Sequence, residues 1–449
     1  MALARTELPR TTLPHVHTPA PRGRARAGFL SRVWRPGLAL ALALAALGGC
    51  DADVQKALDD LAGKPSARSA SSTAAPPALN LPAGPHLYCI ANIGHTLVPY
   101  DLATDRPQPS LERYLDLDPV GPWFFAARGY YISRVDTSGR GANALIEFDP
   151  KTAAETRRLG LGVNTNPNTL LILPGSGGIA WIAIRGSTFN VPYGPDGIGV
   201  VDLATMTGRI VPLTDIAGVP DGASLHSLIS FVWDAACPAN GGQPCVYALV
   251  NGFDGVLRTG SLLVLAPDAQ GNPAGLDRIA LGGAQAVVNP LEDMLLDAPR
   301  RRLWIVDNGG FFPAPPVAGS PTGQLQALDT TKFNDAIAGN ETVMTVPAGF
   351  APTGIFDFDG ATGWVTTYPS DHVQAVDLTT GVLTANPGLP AFTGSLLRTA
   401  LPAPQLFAGA GGFGPAQLAR LDPTDGHLLD ETPLQAGNGT VSCAQFTTP

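Results

Sequence analysis

The chain has 449 residues, among them 52 Gly and 43 Pro, and a formal charge of −9 from 28 basic and 37 acidic residues. The first 49 residues hold seven of the arginines and one acid, Glu7, which leaves 21 basic against 36 acidic residues in the remainder. That balance excludes a general binder of nucleic acid or anionic lipid, which needs a basic surface. The Gly and Pro content, with apolar runs of period two, excludes a helical solenoid.

Residues 1–49 read as an export signal. Seven arginines from Arg5 to Arg35 make a basic leader, and the apolar run Leu38 to Leu47 that follows is too short to span a bilayer. The run ends in Leu47-Gly48-Gly49-Cys50, which resembles the bacterial lipobox. The resemblance implies cleavage before Cys50 and lipidation of its thiol, hence a protein of the bacterial cell envelope, facing the periplasm or the cell surface. Membrane contact is then expected through the lipid anchor only. Residues 50–85 follow as the lipidated Cys and a tether whose Ser, Ala and Pro bias is that of a flexible linker.

From residue 86 onward one unit repeats. An apolar pair, an Asp, two or three residues and then Thr or Gly recur at Asp101, Asp149, Asp202, Asp268, Asp329, Asp377 and Asp422. Each Asp closes a strand and opens a tight turn, where its carboxylate bonds nearby backbone N–H groups, so these aspartates read as structural. The stretch Pro352 to Gly388 shows the whole unit: four β-runs separated by Gly-, Pro- and Asp-rich turns. Four strands per repeat across residues 86–449 predict an all-β fold, a seven-bladed β-propeller. HLYCIANIG, where the propeller begins, matches a second strand, and GTVSCAQF near the end matches a first strand. The C-terminal strand is therefore expected to complete the N-terminal blade and close the ring.

The cysteines fit that register. Without Cys50 four remain. Cys89 and Cys443 fall on neighbouring strands of the closing blade, and Cys237 and Cys245 flank a short loop, so two disulfides are expected, as in an oxidising compartment. Only four of the 28 basic residues are Lys, which reads as a habit of composition and not as a site.

LEDMLLDAPRRRLWIVDNGG and PTGIFDFDGATGWVTT resemble the NHL and YVTN classes of bacterial propeller repeat. The resemblance implies the fold and leaves the function open. On one face of such a ring, the connections between second and third strands are long at 135–143, 185–197, 251–260 and 308–323. They carry Phe189, Tyr193, Phe311 and Phe312 on Pro-rich segments, which suits a protein or glycan partner of the envelope. A monomeric binding or scaffolding module is the first expectation, without catalysis. Around the channel, Asn164, Asn166, Asn168, His226, Asn289, Glu292, Asp293 and Arg398 are the polar groups. Oxygen ligands from Asn166, Asn168, Asn289, Glu292 and Asp293 would suit Ca²⁺ or Mg²⁺. This is similar to the metal-dependent propeller lactonases, although no motif of theirs surrounds these positions. It implies the alternative, a hydrolase or lyase acting on a small ester or lactone. No His motif anchors zinc or covalent haem.

Overall fold

The computed structural model describes residues 85–447 apart from 109–112, 116–117, 135–141, 189–190, 193, 220–224, 251–259, 282–290, 308–322, 336–338, 350–351, 358, 368–371, 388–394, 400–403, 411–414, 423–425 and 439–440. Among these residues no helix is long and apolar enough to cross a membrane.

The fold is a seven-bladed β-propeller of antiparallel sheets. From the channel outward, blade 2 is Pro119–Phe125, Arg128–Ser133, Ala142–Phe148 and Glu155–Val163. Blade 3 is Pro167–Ile172, Ile179–Ile184, Gly197–Asp202 and Thr207–Pro212, and blade 4 is Leu228–Asp234, Cys245–Val250, Gly260–Pro267 and Pro273–Leu281. Blade 5 is Leu291–Asp297, Arg302–Asp307, Gly323–Asp329 and Thr342–Gly349, and blade 6 is Pro352–Asp357, Thr362–Thr367, His372–Asp377 and Leu383–Pro387. Blade 7 is Ser395–Thr399, Gln405–Ala410, Pro415–Leu421 and Leu428–Asn438. In blade 1 the innermost strand is Val441–Thr447, which pairs with Pro85–Ala91 and closes the ring as the sequence predicts. Cys89 lies opposite Cys443 in that ladder, and both expected disulfides, Cys89–Cys443 and Cys237–Cys245, are formed.

The core lies between blades. Among the described residues there are seven apolar clusters, and each joins residues of two neighbouring blades. Side chains alternate across a strand, so each second strand serves two clusters. In blade 3, Ala180, Ile182 and Ile184 face blade 2 while Trp181 and Ala183 face blade 4. That double burial is why these strands read as unbroken apolar runs such as IAWIAI. One large aromatic occupies the corresponding place on the second strand of every blade: Tyr88, Tyr130, Trp181, Tyr247, Trp304, Trp364 and Phe407, all fully buried. Each packs into the cluster shared with the next blade, which makes the seven rings the repeated anchor of the fold.

The turn aspartates act as expected. Asp101, Asp149, Asp202, Asp268, Asp329 and Asp377 each accept a hydrogen bond from the backbone N–H two residues on. At Asp377 the Thr380 and Thr379 N–H groups hold the carboxyl below its ordinary value. The arginines, by contrast, are more than a habit of composition. Arg113 of blade 1 donates to the Thr152 carbonyl in the turn of blade 2 at 3.3 Å. Arg157 of blade 2 donates to the Leu203 and Ala204 carbonyls in the turn of blade 3, at 2.9 and 2.7 Å. Arg302 of blade 5 reaches the Leu378 and Thr379 carbonyls of blade 6 at 3.0 and 2.9 Å. Arg209 bonds Asn272, and Arg420 of blade 7 pairs with Asp105 of blade 1 at 2.6 Å. Guanidinium groups thus tie blades together on the face that carries the Asp turns.

Candidate functional site

The opposite face, where the innermost strands begin, carries the polar residues. The residue just before the innermost strand is left-handed in blades 2, 3 and 4: Asp118 with φ 43°, Asn166 with φ 41° and Ser227 with φ 63°. None is Gly, and all three are buried. Backbone held in this region by non-Gly residues is sustained only by strong surrounding contacts and tends to occur at functional sites.

Those contacts come from the connections between second and third strands. Arg134, the first residue after the second strand of blade 2, pairs with Asp118 at 2.7 Å and donates to Asn166 Oδ1 at 3.3 Å. The amide of Asp118 donates to His95 Nδ1 at 2.9 Å. Arg185 stands at the corresponding place in blade 3, and its amide donates to the Asn166 carbonyl at 3.3 Å. The connection from 185 to 197 is mounted on the blade by its glycines. Gly186, at φ +59°, has the Gly194 carbonyl 2.6 Å from where a Cβ would stand, and Gly194 lies directly against the Asn164 carbonyl. Only glycine fits such close backbone approaches. Ser187–Thr188 and Val191–Pro192 form a short hairpin within this connection.

The connection delivers Asp196 to blade 4. Asp196 Oδ1 accepts the Ser227 amide at 2.7 Å, and Oδ2 lies 3.4 Å from His226 Nδ1. One carboxylate therefore fixes the left-handed turn and orients the imidazole. Burial pushes the Asp196 carboxyl above its ordinary value, while the His226 and Ser227 hydrogen bonds and the Arg185 charge act against that shift. About a fifth of the His226 side chain (21 %) remains open to solvent. A carboxylate-held imidazole of this kind can take a proton from water.

A second set of polar groups lines the channel below. The innermost strands of blades 4, 5 and 6 each carry a β-bulge near their start, between Leu228 and Ser230, Leu291 and Asp293, and Pro352 and Gly354. Bulges re-aim side chains and leave backbone groups unpaired. Asn168 Nδ2 of blade 3 donates to the Ile229 carbonyl at 3.1 Å. Asp293 of blade 5 accepts from Ser230 Oγ of blade 4 at 3.4 Å and from the Ile355 amide of blade 6 at 3.3 Å. These bonds join innermost strands that have no ladder between them. Burial raises the Asp293 carboxyl to about 6, against the pull of the Met294 and Ile355 amides and the Ser230 hydroxyl.

The proposed ligand set for Ca²⁺ or Mg²⁺ is therefore dispersed among its described members. Asn166 Oδ1 faces the Arg134 guanidinium, Asn168 is turned to blade 4, and Asp293 bridges blades 4 and 6. A guanidinium on the ligand oxygen is poor company for a cation, so Asn166 Oδ1 does not fit the expected metal. Asn289 and the Glu292 side chain lie outside the described residues, as do Phe189, Tyr193, Phe311 and Phe312. Among the described residues, the one group of three His, Cys, Asp or Glu ligand atoms close together is Asp234, Cys237 and Cys245, and its sulfurs form a disulfide. Arg398 lies exposed on the innermost strand of blade 7. The sequence singled out His226, Asn164 and Asn166 but missed Asp118, Arg134, Arg185 and Asp196. Asp118-Pro119 and Asn166-Pro167 were a usable signal, since a residue before Pro is barred from the helical region and marks where a blade begins.

No protein-family model matches the chain. No curated protein sequence matches it. Solved structures do. A protein from Lactobacillus plantarum is 13% identical with a TM-score of 0.54, over 80% of this chain and 99% of that one. The periplasmic gluconolactonase PpgL of Pseudomonas aeruginosa is 13% identical with a TM-score of 0.53, over 81% and 99%. A putative 6-phosphogluconolactonase from Bacteroides uniformis is 14% identical with a TM-score of 0.52, over 80% and 100%. At these identities the likeness establishes the propeller and nothing finer.

Proposed function

We propose that the protein is a hydrolase of small esters or lactones, working at the channel mouth over blades 3 and 4. The observation that carries this reading is Asp196 holding His226 Nδ1 at 3.4 Å, on a left-handed turn that the same carboxylate fixes. With Nδ1–H bonded to Asp196, Nε2 is the basic nitrogen. It takes a proton from water as the water oxygen attacks the carbonyl carbon. We assign the oxyanion that forms to Arg185, whose charge acts on Asp196. On collapse, the bond from carbonyl carbon to ring or ester oxygen breaks, and the proton returns from His226 to the leaving oxygen. No step runs through a metal. Two of the propellers sharing this fold are named as gluconolactonases or phosphogluconolactonases, which supports the substrate class.

The test is hydrolysis of a panel of lactones and esters, followed by acid release, for wild type and for His226→Gln. Turnover that falls by at least about a hundredfold in the variant supports the reading. Turnover that survives in His226→Gln, or none in the wild type, sinks it. Binding of an envelope protein or glycan by the same face is the competing proposal, and it predicts no turnover at all. In the same reading the protein is lipidated on Cys50 in a bacterial envelope. The Leu47-Gly48-Gly49-Cys50 sequence and two disulfides that suit an oxidising compartment support this. Metabolic labelling with palmitate, absent in Cys50→Ser, checks it.

A further inference from the structure

The grip of Asp196 on His226 depends on how the connection that carries Asp196 is seated, on the premise that the site is the hydrolase proposed above. We infer that Gly194 and Asn164 are positioning residues of that site, acting through their backbone and not through side chains. Three successive carbonyls, those of Asn164, Thr165 and Asn166, meet the connection from 185 to 197. The Arg185 amide donates to the Asn166 carbonyl at 3.3 Å, and the Gly186 amide to the Thr165 carbonyl at 3.2 Å. The Asn164 carbonyl meets Gly194, at the point where a Cβ would stand. Gly194 is also tied to the other leg of the hairpin, since its amide donates to the Gly186 carbonyl at 2.9 Å. Both legs therefore come down on the one stretch 164–166. Asn164 is itself left-handed, with φ 59°, a conformation that Asn tolerates better than most residues with a side chain.

Gly194 stands two residues before Asp196. A side chain at 194 meets backbone, not the movable end of another side chain, so the connection itself has to retreat. Asp196 is not free to follow, because its carbonyl accepts the Leu213 amide at 3.0 Å. Held at that bond and pushed from 194, the residue turns. Its carboxylate then leaves the Ser227 amide and His226 Nδ1, which lie 2.7 and 3.4 Å from it. The imidazole loses the acceptor that keeps its proton on Nδ1. A misplacement of about 1 Å is enough to cost up to about a hundredfold in turnover. Asn164 acts from the other side of the same contact. A β-branched residue there leaves the left-handed region and takes the carbonyl with it.

The experiment reads which ring nitrogen of His226 carries the proton, by nitrogen NMR of the oxidised, histidine-labelled protein, beside kcat and KM on the lactone and ester panel. His226→Gln assigns the signal. In the wild type the neutral ring is expected to carry its proton on Nδ1. Gly194→Ala and Asn164→Val are expected to move it to Nε2, as Asp196→Ala does, and to lower kcat by about ten- to a hundredfold with KM within about threefold. Gly160→Ala, where a Cβ meets nothing within 4 Å, and Asn164→Gly, which keeps the left-handed turn, are expected to match the wild type. A folded Gly194→Ala or Asn164→Val with the proton still on Nδ1 and kcat unchanged overturns the inference, and so does an Asn164→Gly that behaves like Asn164→Val. Should Gly194→Ala not fold, the two Asn164 variants decide by the same readings. A wild type without turnover, in which the variants still move the proton, overturns the hydrolase reading alone. A wild-type ring protonated on Nε2 overturns both.

Discussion

Replacing Asp293 with Asn separates what this carboxylate contributes as a charge from what it contributes as a bridge. Its folded pKa is about 6 against an ordinary value of 3.8. The difference is about two units, and each unit is 1.36 kcal/mol of preference between protonation states, so the ceiling is about 3 kcal/mol. Because the folded value is raised, the effect has a definite direction. Below pH 3.8 the carboxyl is protonated in both folded and unfolded chains, and the native state bears no cost. As pH rises toward 6 the unfolded chain ionises first, so stability is progressively lost. Above that window both states are charged and the full cost remains. The amide of the Asp293→Asn variant carries no charge at any pH, so the variant escapes this loss. It also loses an acceptor for the Ile355 amide or the Ser230 hydroxyl, a cost of about 1–2 kcal/mol that does not vary with pH. The informative quantity is therefore the gap in unfolding free energy between variant and wild type, measured by urea titration with the disulfides intact. That gap should move in favour of the variant by about 2–3 kcal/mol between about pH 4 and pH 8. A gap constant to within about 0.5 kcal/mol across that range would refute the assignment of a desolvated, upward-shifted carboxyl to the bridge between blades 4 and 6.

The buried Asp234 is held by Arg301 of blade 5 and accepts from Tyr247 at 2.8 Å. Arg301→Ala leaves its charge uncompensated and should cost about 2–3 kcal/mol in urea unfolding, with little rescue by Arg301→Lys. The Cys89–Cys443 bond spans 354 residues, and removing it in the double Ser variant should cost about 4–5 kcal/mol, against about 2–3 for Cys237–Cys245, which spans 8; equal losses would count against closure as the reason. Trp181 Nε1 donates to the Gly271 carbonyl of blade 4 at 2.7 Å, whereas the buried Nε1 of Trp304 has no hydrogen-bond partner. Trp181→Phe should therefore destabilise by about 1 kcal/mol more than Trp304→Phe, read as the difference between two melting curves.

What the sequence disclosed and what it hid follow from how far each interaction reaches along the chain. The turn aspartates were legible because carboxylate and amide partner are two residues apart, as at Asp377 and Thr379. Ring closure was legible because Pro85–Ala91 and Val441–Thr447 each kept the pattern of its own strand type. The bulges were not. Leu228-Ile229-Ser230 reads as ordinary strand, and nothing local marks the point where the ladder slips and Ser230 turns toward Asp293. Nor could Asp196 be told from any loop aspartate, since its partners His226 and Ser227 lie thirty and thirty-one residues on, in the next blade.

The arginines are the sharpest case. Their excess over lysine was plain in composition, yet the use made of several of them appears only when blades stand side by side. Arg157 and Arg302 each reach two successive carbonyls in the turn of the following blade, and Arg157 also holds the buried Glu147 of its own blade. A planar fork with five donors can satisfy such divided demands, whereas an ammonium on a flexible stem presents a single point charge and loses more freedom for each bond it makes. The Asp turn leaves carbonyls facing outward while its own carboxylate is occupied by backbone amides, so a donor from the preceding blade is what completes it. The junctions that carry these bonds therefore favour Arg over Lys, while the seven arginines of residues 1–49 add to the same excess outside the blades.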